Sequence, residues 1–151
     1  MKLHKFKAFI LSLAFLSISI TAFAAPTLLI VAPGESFAYG SPKTGTPDPQ
    51  TCGVPFNLNV YAVDDSDWQT IDASGAGLDI SSSGAASFSP DPTTINSSRT
   101  VSATINTTST GSVGIYVNNN IAPISGLSPS SVTVTAQYIQ SFSFVNIASA
   151  T

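Results

Sequence analysis

The residues with the most chemical capacity lie together near the middle of the chain. Asp64, Asp65 and Asp67 fall within four positions, Asp72 and Asp79 follow, and Trp68 adjoins them. Clustered carboxylates in a loop between strands can supply several of the oxygens that Ca2+ requires. Their spacing lacks the central glycine and closing glutamate of an EF-hand loop. Short carboxylate side chains also accept hydrogen bonds from backbone two residues on, which makes them turn formers. Asp64, Asp65 and Asp67 are therefore either a calcium site or a turn. Trp68, with Tyr61 or Tyr116, can stack on a sugar ring as a glycan or partner contact, or it can cap the open end of a core.

Other site chemistry finds little material. The chain has one histidine, His4, and one cysteine, Cys52. Lys2, His4, Lys5 and Lys7 precede an apolar run, Phe9–Ile20, which ends in Thr21-Ala22-Phe23-Ala24. That order of a basic start, a short apolar run and small residues before a cut is the signature of a secretory signal peptide, expected over residues 1–24. With His4 removed, no serine–histidine–aspartate triad, cysteine–histidine pair or histidine metal site can form, so no enzyme activity is expected. Gly75–Gly77 (GAG) lacks the rest of a phosphate-binding loop. Cys52 has no partner for an internal disulfide. It is read as a small apolar side chain ahead of a buried strand, with an intermolecular bridge as the alternative.

Loss of the leader leaves two cations, Lys43 and Arg99, against eight acids, a net charge of −6. Such a surface cannot neutralise a phosphate backbone or an anionic bilayer, so neither nucleic acid nor membrane insertion after signal removal is expected. Apart from calcium, no cofactor is expected.

The elements that would position these residues are strands. Phe56, Leu58, Val60 and Ala62 alternate with Asn57, Asn59 and Tyr61, a period of two that marks a half-buried strand ending at the aspartates. Thr27–Ala32 reads as a short, continuously apolar strand. Residues 33–53 are dense in proline and glycine and read as an irregular edge segment or long loop. Leu78–Ser82 and Ala86–Ser89 alternate weakly, and Pro90-Asp91-Pro92 forces a turn. Arg99–Asn106, Val113–Val117 and Val132–Ala136 alternate clearly. About seven short strands with turns between them predict an all-β sandwich. In it, the faces carrying Val101, Val113 and Val132 are expected to meet Phe56, Leu58 and Val60 across the core.

Pro33–Ser36 (PGES), Lys43–Pro47 (KTGTP), Gln50–Asp64 (QTCGVPFNLNVYAVD) and Trp68 together resemble the bacterial immunoglobulin-like repeat modules of large secreted or surface-attached proteins. Ser131–Ala136 (SVTVTA) is similar to their closing strand. The resemblance implies an immunoglobulin-like β-sandwich over residues 25–137 in an extracellular or cell-surface setting, and no shared site. Residues 138–151 continue past that sandwich with Phe142 and Phe144 alternating with serines, which reads as an extra strand or the start of a following, truncated module. The expected role is non-catalytic: a structural spacer, stalk or assembly unit, partnered by neighbouring modules of the same type. The alternative is an adhesion or carbohydrate-binding module that holds a surface glycan or protein through loops near Trp68. A third reading has the tail strand Phe142–Ile147 donated to a neighbouring subunit's sheet edge.

Overall fold

A computed structural model describes residues 25–122 and 125–139, with backbone alone at 121 and 122. The expected leader, 1–24, and the tail from residue 140 onward lie outside the described residues.

The described residues form eleven strands and no helix: β1 (Pro26–Val31), β2 (Glu35–Ser36), β3 (Thr44–Gly45), β4 (Gln50–Thr51), β5 (Phe56–Asp64), β6 (Ala76–Ser82), β7 (Ala86–Ser89), β8 (Thr93–Ile95), β9 (Ser98–Ile105), β10 (Gly111–Ala122) and β11 (Ser130–Gln137). Sheet I has the order β1-β5-β9-β7, sheet II the order β4-β11-β10-β6-β8, and β2 and β3 pair separately. Neighbours run antiparallel except β4, which lies parallel to β11.

The alternation read from the sequence sets which faces are buried. Leu58, Val60 and Ala62 of β5 turn inward, as do Val132, Val134 and Ala136 of β11, and Asn57 faces solvent. One continuous core takes residues from both sheets. Each fully buried Leu or Ile in it contributes roughly 2 kcal/mol relative to exposure. Two expectations change. Val101 pairs with Leu58 within sheet I, so it lies beside that residue, whereas Val113 and Val132 belong to the opposite sheet. The three-residue strand β8 follows Pro92 at the edge of sheet II, too short to show a period, yet Thr93 and Ile95 are buried.

β1 explains its own lack of alternation. Leu28 and Ile30 enter the main core, while Leu29 and Val31 join Val63 in a second cluster on the outer face of sheet I. A strand buried on both faces is apolar throughout. The cover over that outer face comes from the segment read as an irregular loop. It folds back on the sheet, with Glu35 opposite Gly45 and Ser36 opposite Thr44.

The two ends of the described chain leave from opposite poles. At the start of β1, Leu28 N–H donates to Ser128 C=O and Ser128 N–H to Pro26 C=O, both at 2.9 Å, in a parallel bridge. β11 then runs about 25 Å at the usual rise per residue before its last residues meet β4.

Candidate functional site

The acidic turn closes the hairpin between β5 and the bridge Val63–Thr70. Asp64 N–H donates to Gln69 C=O at 2.9 Å, and Trp68 N–H to Asp64 C=O at 2.8 Å. Each of the three carboxylates accepts a backbone hydrogen bond. Asp64 Oδ1 accepts from Ser66 Oγ at 2.6 Å and Ser66 N–H at 2.8 Å. Asp65 Oδ1 accepts from Ala25 N at 3.1 Å, and Asp67 Oδ1 from Gln69 N–H at 3.0 Å. The Ser66 hydroxyl, then the Ser66 N–H, holds the Asp64 carboxyl below the ordinary carboxylate range, with a smaller contribution from the Asp67 N–H. Asp72 repeats this with the hydroxyl and N–H of Ser74, and is lowered likewise. Among the described residues, no three His, Cys, Asp or Glu side chains converge as a metal would require. Asp64 and Asp67 bond backbone two residues on, as turn formers do, whereas Asp65 reaches across to the start of the described chain at Ala25.

Trp68 closes that turn in the left-handed region, at φ 58°. A bulky aromatic there carries a backbone cost of order 1 kcal/mol or more. Its ring is packed against Leu29, Val31 and Val63, together with Phe37 and Tyr61. Trp68 thus covers the second cluster on the outside of sheet I, away from the open end of the main core. Tyr61 lies in the same cluster, its ring 4.9 Å from that of Phe37. Tyr39 meets Phe37 edge-on at 5.8 Å and is 66 % exposed. Trp68 and Tyr61 are therefore brought together, although both are half-buried. Tyr116 is on the other sheet, exposed beside a shallow hollow of about 200 Å3 with Asn118, Pro129, Ser130 and Ser131.

An ion pair holds the covering segment to β1. Lys43 Nζ lies 2.8 Å from Glu35 Oε1 and donates to Ile30 C=O at 2.9 Å. Glu35 Oε2 accepts from Ala32 N–H at 2.9 Å. The pair therefore satisfies two backbone groups on the edge of β1 that faces away from β5. Gly34 and Gly45 let the segment cross itself: both have positive φ, and a Cβ on either would stand 2.5 Å from backbone oxygen of the other limb. These four residues sit inside Pro33–Ser36 and Lys43–Pro47, but sequence reasoning gave them no role. The available signal was Lys43 itself, one of two cations beyond residue 24.

Cys52 is half-buried against the main core, with its Sγ 3.4 Å from Thr107 Oγ1. Every buried side-chain nitrogen or oxygen among the described residues has a hydrogen-bond partner.

A scan against known protein families finds no match for this chain, and no curated protein matches it. Among solved structures, the crystal structure of domains 4 and 5 of the S-layer protein SbsC is similar to it, at 16 % identity and a TM-score of 0.41. The similarity covers 76 % of this chain and 54 % of that one, so this chain spans about half the length of the protein it matches.

Proposed function

We propose that this protein is an exported, non-catalytic immunoglobulin-like module that works as a mechanical spacer or assembly unit at the cell surface or outside the cell. The observation that carries the reading is the placement of the two ends. Residue 25 lies by Ser128 at the start of β11, and residue 139 follows the far end of the same strand. A unit with poles so arranged can be linked end to end. Tension between its ends would pull β1 along the β5 ladder and β11 along the β10 ladder. Loading a ladder parallel to its strands strains many hydrogen bonds at once, because those bonds lie across the strands. The strand orders β1-β5-β9-β7 and β11-β10-β6 support the finer assignment, since they follow the two sheets of an immunoglobulin-like sandwich.

The test is to pull single molecules of the exported protein from residues 25 and 139, and then from two points at one pole. Higher unfolding force in the end-to-end geometry supports a spacer. Equal or lower force there removes the mechanical role. The adhesion reading makes a separate prediction, a glycan-array signal that disappears in Trp68→Ala.

A further inference from the structure

We infer that the free edge of β11 is an acceptor site for a strand from a second copy of this chain, and that Phe142–Ile147 is the strand it takes. The inference extends the assembly-unit reading by naming the partner.

The edge is located by backbone alternation. Cys52 N–H donates to Gln137 C=O at 2.9 Å, so Gln137 turns its backbone toward β4 and away from β10. A period of two turns Ser131, Thr133 and Thr135 the same way. The other side of sheet II agrees. Ser83 N–H donates to Gly114 C=O at 2.9 Å, so Gly114 bonds toward β6, and its opposite number on β11 is Thr133. Backbone ladders hold this edge only at its ends, where Ser128 bonds to β1 and the last residues of β11 bond to β4. Between them, no described residue supplies backbone partners to Ser131 or Thr133, and the ladder with β4 takes the Thr135 C=O but not its N–H.

Edges in this condition normally carry a charge, a proline or a bulge that discourages pairing. Ser131, Thr133 and Thr135 have none, and their side chains are exposed. The exit point and residue pattern of the tail identify the occupant. The residues after Ile139 include Phe142 and Phe144 in strand-like alternation with Ser141 and Ser143. At the point of departure, Tyr138 and Ile139 are apolar and exposed, at 43 % and 61 %. Folding back as a hairpin onto its own β11 would first require the positions beside Ala136 and Gln137, which β4 already holds. A second copy has no such obstacle, and donation between copies is a heterologous contact that closes as a swapped dimer or continues as a chain.

The experiment measures solution mass of the exported full-length protein over a dilution series, by light scattering. Self-association is expected. Thr133→Pro removes an edge N–H that β10 does not use, a place where an edge strand tolerates proline. Thr135→Lys guards the same edge without altering the backbone and serves if the proline variant does not fold. Either variant should reduce the mass to that of one copy, as should Phe142→Asp combined with Phe144→Asp. Mixing an edge variant with the tail variant should restore a one-to-one pair, because each keeps what the other lacks. A single-copy mass for the unaltered protein at every concentration overturns the inference, and so does association that survives the edge variants or a mixture that fails to pair. None of these results bears on the end-to-end pulling measurement.

Discussion

β1 and β11 run side by side at one end of the sandwich, yet their outer edges are treated in opposite ways. Along β1, Leu28 N–H is taken by Ser128, Ile30 C=O by the Lys43 ammonium and Ala32 N–H by the Glu35 carboxylate. Along β11, Ser131 and Thr133 meet no such plug from the described residues, and Thr135 is met by β4 at its C=O alone. The segment that could have run beside β11 over its full length instead crosses the outer face of sheet I and returns only at Gln50. One excursion therefore guards one edge and exposes the other. A chain with so few charges has placed an ion pair where a strand edge would otherwise be sticky.

The shared core gives the largest expected effect and the control for that contrast. Leu58→Ala removes a fully buried side chain between the sheets and should cost about 3 kcal/mol in chemical denaturation, loosening both edges together. Lys43→Met should act on β1 alone. It leaves the Glu35 carboxylate, whose side chain is 5 % exposed, without its cation, and should cost about 2 kcal/mol. Adding Glu35→Met should cost less than the two single changes summed, since no lone charge then stays buried. If Lys43→Met proves neutral, the guarded edge is not guarded by charge.

The cover over sheet I offers a finer test. Trp68→Ala loses the ring but keeps the left-handed backbone, whereas Trp68→Gly loses the ring and relieves the backbone. The glycine variant should be the more stable of the two by about 1 kcal/mol. The reverse order would mean that the turn is set elsewhere. The smallest effect concerns acid. Asp64 and Asp72 have lowered folded-state values, so their contribution is in place above the ordinary aspartate value of 3.8 and fades as pH falls through the lowered one. Melting temperature should drop below about pH 4, and Ser66→Ala with Ser74→Ala should flatten that drop.

Much of this was legible in the residues. Alternation in Phe56–Ala62, Arg99–Asn106 and Val132–Ala136 located three strands and their buried faces, because one-sided burial writes a period of two into the chain. The two-sided burial of Leu29 and Val31 also left its mark as an unbroken apolar run. Long-range partners left none. Nothing local to Pro33–Gly53 says that Glu35 pairs with Lys43, or that Phe37 lies on Tyr61, since those contacts depend on where the excursion folds back. β8 escaped because three residues carry no period. For Trp68 the sequence showed an aromatic beside an acidic turn, while its ring's position over Leu29 and Val31 depended on β1 pairing with β5. The expected tail strand and leader lie outside the described residues.

Amide hydrogen exchange in dilute solution addresses the contrast between the edges most directly. Leu28 and Ala32, bonded to Ser128 and Glu35, should exchange slowly, and Thr133 and Thr135 should exchange fast while their inward neighbours Val132 and Val134 stay protected. Fast exchange at Ala32, or Thr133 and Thr135 as slow as Val134 in the single-copy protein, would contradict it.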